Sequence, residues 1–336
     1  MQQSTFFGID LHARQSWFHV RAGDQVVFNG AVPNDWIAID AVLERGPAPR
    51  VAAVEAGGNW PWLVYGLQER GVRIHLLHPP SVTPYRQSRA KTDKIDATLL
   101  CELAAEPWRV TESWICPDAW AGVRQAMRTR EQLIQMRTAV RNRLHAVLRQ
   151  LGRRPPVGFL WGPTGAAWLC EQSLPAGGRQ AVEGLRQVEA VLRAQDAALL
   201  ATTREAMRAC RPVQQLEALP QCGPVTALTI VLESGDVTRF ANRAAYVAHC
   251  ALAPTTSESG GKHQRRGLSR RGSHRLKRAY TEWAFRLLTR DESLKEAYAS
   301  VPYFGQAKVM LGRKLAGAAR ALWVREDDFD AARLRR

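Results

Sequence analysis

Absences narrow the class of this chain before any motif is read. Its 336 residues hold only six cysteines, Cys101, Cys116, Cys170, Cys210, Cys222 and Cys250, widely spaced and with no C-x-x-C pair. Neither a zinc knuckle nor a disulfide framework is supported, and the thiols read as small apolar residues of a reducing compartment. No apolar run approaches the ~18 to 20 residues of a membrane span, and the first residues lack the basic and apolar regions of a signal peptide. The expectation is a cytoplasmic protein with no membrane partner. Acid is also scarce: 31 Asp+Glu stand against 47 Lys+Arg, a net charge of +16, and such an excess points to polyanions. What is plentiful is apolar. Hydrophobic residues make up 46% of the chain, which argues against disorder, and the length suits roughly two domains on a ~150-residue prior.

Short β-rich runs over residues 6–9, 17–20 and 26–28 predict an antiparallel meander. A helix over 36–44, a strand over 51–54, a helix over 61–70 and a strand over 72–77 follow, an α/β layout. Past Lys91 the pattern turns helical, first over 93–105. Over 118–151, Val123, Met127, Leu133, Met136, Val140, Leu144 and Leu148 recur at helical spacing among Arg124, Arg128, Arg130, Arg137, Arg141, Arg143 and Arg149. This predicts a long amphipathic helix or coiled-coil arm with a cationic face. A Gly/Pro-rich break over 152–178 precedes a second helix over 180–210. The resulting division is 1–117, 118–211 and 212–336. From Leu216 onward the residues resemble a helix-hairpin-helix turning at 220–224, whose second helix offers backbone N–H groups to a phosphate; an ordinary helical turn is the alternative. Helices over 243–250 and 272–289 flank a loop over 254–267, and a last helix spans 306–323.

In so basic a chain the informative residues are acids. Asp10 ends the first strand and Glu55 ends the strand over 51–54, while Asp93 and Asp96 lie three apart, on one face if helical. Carboxylates that converge at one sheet edge repel unless a cation sits among them, and hard divalent ions suit oxygen ligands. Two Mg2+ ions ~3.5 to 4 Å apart would activate a nucleophile and stabilise a leaving oxygen on phosphorus. Singly, each acid has a plainer explanation: Asp93 favoured at a helix start with Thr92 as cap, Asp10 opening a turn.

Asp10 in Phe-Gly-Ile-Asp-Leu-His, Glu55 in Val-Glu-Ala-Gly-Gly-Asn-Trp, the Leu-His-Pro stop at Pro79, and Asp93 and Asp96 in Lys-Thr-Asp-Lys-Ile-Asp-Ala together resemble the acidic tetrad of the DEDD-type insertion-sequence transposases, the bridge-RNA-guided recombinases. Gly235-Asp236-Val-Thr-Arg-Phe240, Ala251-Leu-Ala-Pro254, Ser259-Gly260 and the segment from Gly272 to Arg278 resemble that family's carboxy-terminal transposase domain, so the likeness runs through nearly the whole chain in order. It implies an α/β RNase H-like (RuvC-like) amino-terminal domain, a helical coiled-coil arm and a mainly α carboxy-terminal domain. It further implies a DNA recombinase in which Asp10, Glu55, Asp93 and Asp96 hold Mg2+ and the serine preceding glycine attacks DNA to form a phosphoserine link. That serine is Ser259, with Ser257 two residues earlier as its competitor. The partners implied are donor and target DNA, a structured guide RNA that base-pairs to both, and further copies of the chain, a dimer to tetramer in which the acids of one subunit are completed by the serine of another. Two departures stand out: Ser273 where Asn is common, and Gly57-Gly58 where Thr-Gly is usual.

Between Lys262 and Arg278 there are eight Lys or Arg and no acid, a strip suited to phosphate backbone. Lys262, Arg265, Arg266, Arg270, Arg271 and Arg275 are its candidate contacts, and Arg137, Arg141 and Arg143 on the arm are candidates for RNA contact or subunit pairing. A serine is a poor nucleophile without a base, a metal or a positive field; Lys262, His263, Arg265 and Arg266 supply the field, or serve only as phosphate anchors. The eleven tryptophans read as core or interface, and His12 and His78 as structural histidines. Two other functions fit the same composition. One is a junction resolvase using metal-activated water; the other is a nucleic-acid-packaging protein without enzymatic activity.

Overall fold

The computed structural model describes residues 4–86, 92–155, 160–259, 262–269 and 271–325, with backbone only for 256–259, 262–266 and 325. The chain divides into two compact units, Met1–Asp118 and Ala119–Arg336.

The first unit is mixed α/β. Strands β1 (Thr5–Asp10), β2 (Gln15–Ala22) and β3 (Gln25–Pro33) form the meander, followed by α1 (Trp36–Leu43), β4 (Arg50–Glu55), α2 (Trp60–Glu69), β5 (Arg73–Leu77), the short α3 (Pro79–Val82) and α4 (Asp93–Ala105). The five strands lie in the order β3-β2-β1-β4-β5. β2 is antiparallel to both its neighbours, whereas β1, β4 and β5 are parallel. The unbroken apolar run over 51–54 suits β4, a central strand covered on both faces, whereas the edge strand β3 is largely exposed.

Alternation along the strands then sorts the side chains between the two faces. Phe7, Ile9, Ala52, Val54, Ile74 and Leu76 share one core with Ile39, Val42 and Leu43 of α1 and Leu63, Val64 and Leu67 of α2. Phe6, Val51, Ala53 and Leu77 belong to a second cluster with Leu100, Leu103 and Ala104 of α4. The sheet is therefore sandwiched, with α4 and Val82 of α3 on the second face. Gly8 permits that contact: a Cβ there would collide with the carbonyl oxygen of Ala97 and the backbone nitrogen of Cys101.

The second unit is mainly helical. Its elements are α5 (Asp118–Gln150), α6 (Pro163–Glu171), α7 (Ala176–Ala206), α8 (Arg211–Glu217), α9 (Pro224–Ser234), α10 (Arg243–His249), β6 (Pro254–Ser259), β7 (Lys262–Leu268), α11 (His274–Arg290), α12 (Glu292–Ala297) and α13 (Phe304–Arg325). One core gathers Leu228, Tyr246, Tyr280, Trp283 and Leu315 from α9, α10, α11 and α13. Inside it the Ser234, Tyr246 and Tyr280 hydroxyls form a chain at 2.6 and 2.8 Å, which satisfies three buried polar groups at once.

Two sequence expectations change here. The segment over 254–267 is not a loop but an antiparallel hairpin, β6 against β7, with Ser259 in register with Lys262. Its glycines and serines disguise alternating extended residues. The break over 152–178 contains α6, which Pro163 opens at the first helical position.

The arginines of α5 differ from expectation as well, because they do not form a bare cationic face. Arg124 and Arg128 reach Glu233 of α9 at 3.0 and 2.8 Å. Arg130 reaches Asp196 at 2.7 Å, Arg137 reaches Asp196 at 2.9 Å and Glu189 at 3.3 Å, and Arg141 also pairs with Glu189. Further along, Leu144 and Leu148 cluster with Val182 of α7 and Leu169 of α6. The rungs Arg130–Asp196, Arg137–Glu189 and Leu144–Val182 advance by seven residues on α5 and retreat by seven on α7, so the two helices run antiparallel with facing positions every two turns. The acids that absorb the charge sit 48 or more residues away in sequence, beyond the reach of a helical-spacing argument.

Candidate metal centre

Strand parity and register place the acids. Asp10 shares the face of Phe6 and Gly8, and Glu55 that of Val51 and Ala53, which is the α4 side. Parallel pairing of Ile9 with Val54 sets Asp10 and Glu55 side by side at the carboxyl ends of their strands, where open α/β sheets place ligands. α4 begins at the same end. The Thr92 hydroxyl caps it by accepting from the Ile95 N–H at 3.3 Å, and its first turn carries Asp93 and Asp96 one turn apart. Three separate segments thus bring four carboxylates to one edge of the first unit.

An imidazole and a guanidinium stand among them. His12 Nε2 lies 3.3 Å from both Asp10 Oδ2 and Asp93 Oδ1. Arg86 Nη2 donates to both Glu55 oxygens, at 3.1 and 2.9 Å, and its Nε donates to Asp96 Oδ1 at 3.1 Å. The backbone carbonyl of His12 is held by the Asn34 and Asn59 side-chain amides at 2.8 and 3.1 Å, which fixes the turn after β1. Asp96 is the most enclosed of the four, its side chain 7% exposed, and Asp93 the most open at 54%.

The electrostatics are those of a site short of positive charge. Burial raises the Asp10 carboxyl above its ordinary range; His12 opposes that, while Asp96, Asp93 and Glu55 add to it. Burial by itself would lower Arg86, yet Glu55 and Asp96 hold it above the usual guanidinium value. Asp10, His12 and Asp93 each offer a ligand atom, all within 4.8 Å of one another. A hard divalent cation fits this donor set, since carboxylate oxygens are its preferred ligands and the charge on Asp10 is disfavoured without one.

The remaining candidates are distributed as follows. Ser259 ends β6, and Lys262, Arg265 and Arg266 lie on β7; their side chains, like the whole of Arg270, lie outside the described residues. Arg271 is exposed, and Arg143 is exposed on α5. Arg275 donates to Glu131 at 2.6 Å, so it, like Arg137 and Arg141, already has an acidic partner within the second unit. Sequence reasoning missed Arg86 altogether and left His12 among the structural histidines. The only local hint for Arg86 is a cation seven residues before Asp93; its role depends on which acids lie across from it.

Among the described residues no helix is long and apolar enough to cross a membrane. Residues 7–152 match the DEDD transposase family of the IS110 type, and residues 213–299 match the transposase family IS116/IS110/IS902. The chain is 25% identical over 240 residues, 70% of each sequence, to the transposase for insertion sequence element IS1328 from Yersinia enterocolitica. It is 26% identical over 236 residues, 68% of each, to a Pseudomonas aeruginosa protein named "Probable family 20 transposase". Matched in order along most of its length and carrying the acidic residues where the fold brings them together, the chain belongs to the IS110 family of insertion-sequence transposases.

Proposed function

We propose that the protein is an RNA-guided DNA recombinase whose first unit is an RNase H-like, RuvC-like metal domain and whose second unit carries the nucleophile. The observation that carries this reading is the convergence of Asp10, Glu55, Asp93 and Asp96 at the carboxyl ends of β1 and β4. The strand order β3-β2-β1-β4-β5, with β2 alone reversed, supports the fold name. Asp10, Glu55, Asp93 and Asp96 hold Mg2+, which when bound supplies Lewis-acid stabilisation of charge on a scissile phosphate.

The serine chemistry belongs to β6 and β7. Ser259 Oγ attacks a DNA phosphorus, its proton leaves, and the bond from phosphorus to the departing DNA oxygen breaks, so the strand end is conserved as a phosphoserine ester. Register with Lys262 gives Ser259 a cationic cross-strand neighbour, and the sequence run that adds Arg265, Arg266, Arg270 and Arg271 supplies positive charge for DNA or RNA phosphates. Target choice rests on base pairing by a guide RNA, with the protein reading backbone shape. The helices over 118–211 act as a coiled-coil arm for RNA contact or subunit pairing, in a dimer to tetramer where one copy's acids serve another's serine.

A suicide DNA substrate tests the reading. With Mg2+ the protein should become covalently linked to DNA, and the adduct should vanish in Ser259→Ala but persist in Ser257→Ala. Cleavage without any adduct would instead identify a resolvase using water. A mixture of Asp10→Asn and Ser259→Ala proteins that regains strand exchange would show that the two halves come from different copies.

A further inference from the structure

We infer that Arg86 is a resident counter-cation of the acidic tetrad, occupying the cation position between Glu55 and Asp96 until divalent metal displaces it. The inference deepens the metal reading above and rests on it.

Three observations carry it. First, Arg86 engages both oxygens of Glu55 through one nitrogen and an oxygen of Asp96 through another, so it spans two carboxylates that come from different elements, β4 and α4. Such charge-assisted contacts are stronger than neutral ones. Second, the arrangement is enclosed: side-chain exposure is 29% for Arg86, 24% for Glu55 and 7% for Asp96. A like-charged pair that buried would repel strongly without a cation between its members. Third, Arg86 draws on oxygens that a metal between Glu55 and Asp96 would also need. A divalent ion bound to Glu55 or Asp96 at ~2.0 to 2.1 Å from oxygen would sit within a few ångströms of a guanidinium nitrogen already 2.9 Å from that carboxylate. A divalent ion that took oxygens from both Glu55 and Asp96 would compete with Arg86 for the contacts it now holds, so uptake between those two acids is coupled to release of Arg86. Arg86 thereby keeps Glu55 and Asp96 folded into place before loading and sets a threshold for metal affinity, whereas His12 contacts the other two acids, Asp10 and Asp93.

Calorimetric titration of Mn2+ alone into the full-length protein, with wild type, Arg86→Gln and Arg86→Lys compared, tests the inference. Removing the competitor should tighten Mn2+ binding by about tenfold, the equivalent of one charge-assisted hydrogen bond. In EDTA, Arg86→Gln should melt below wild type, and saturating Mn2+ should close the gap. Arg86→Lys, a point charge unable to fork onto both acids, should fall between the two, and it carries the test if the glutamine variant does not fold. Equal or weaker Mn2+ binding in the variants would overturn the counter-cation role. Failure of wild type and variants alike to take up Mn2+ would bring down the metal reading itself.

Discussion

At the scale of single residues, what singles out the acids is their position at the ends of β1 and β4 and in the first turn of α4. Asp10 and Glu55 each follow an apolar run, and a carboxylate in that place either pairs or faces a cleft; that much was legible. Asp93 and Asp96 were legible as a helical pair beneath a threonine cap. Arg86 and His12 were not, because a cation's meaning depends on which acids stand opposite, and those contacts span up to 81 and 31 positions of chain. On the reading proposed above, in which the tetrad holds metal and not phosphate, Asp10→Asn and Asp96→Asn should each abolish strand transfer while leaving DNA and RNA binding within about twofold of wild type, a tolerance of ~0.4 kcal/mol. Gel-shift titration beside a strand-transfer assay checks both halves. Lost nucleic-acid binding in a folded variant would count against the assignment.

At the scale of elements, the contact of α4 with β1 sets the site. Only a hydrogen at position 8 lets the helix settle onto the strand, so Gly8→Ala should push α4 away, cost ~3 kcal/mol or more as a backbone overpacking, and weaken metal binding at the same time; denaturant melts and Mn2+ titration of one preparation read both effects. In the second unit, Glu233 ties α5 to α9 through Arg124 and Arg128. Burial pushes its carboxyl up, but Arg128 and Arg124 outweigh that and leave it below its ordinary value. The sign follows from linkage: a group held lower in the folded state stabilises above its unfolded value of 4.5 and loses that contribution as pH falls through the lowered one. Glu233→Gln should therefore cost ~3 to 5 kcal/mol at neutral pH, as breaking one side of a buried pair does, and should flatten the acid limb of the stability profile. The strands were legible because their apolar runs exceed what an exposed strand tolerates. The β6–β7 hairpin was not, since Thr-Thr-Ser-Glu-Ser carries no apolar alternation to announce it.

At the scale of the molecule, the net charge of +16 understates how unevenly the cations are committed. Arg130, Arg137 and Arg141 are matched to Asp196 and Glu189, whereas Arg143 is exposed on the same helix. Arg143→Ala should lower the salt dependence of nucleic-acid binding by about one unit of log–log slope if that arginine meets a phosphate. Arg137→Ala should instead lower the melting temperature and leave the slope in place. Binding isotherms across a salt series, set beside thermal melts, separate the two. An unchanged slope in Arg143→Ala would mean that its side chain faces solvent or protein.

The seven-residue rungs between α5 and α7 turn this hairpin into a gauge. With 33 residues in α5 it measures ~50 Å from end to end, and each pair of turns is a graduation of ~10 Å. Excising residues 131–137 together with 189–195 would remove one graduation and leave Arg130 facing Asp196 and Leu144 facing Val182. Reach can therefore be lengthened or shortened by two turns at a time with the facing residues kept in line, so the pairing itself supplies a unit in which this hairpin's length can change.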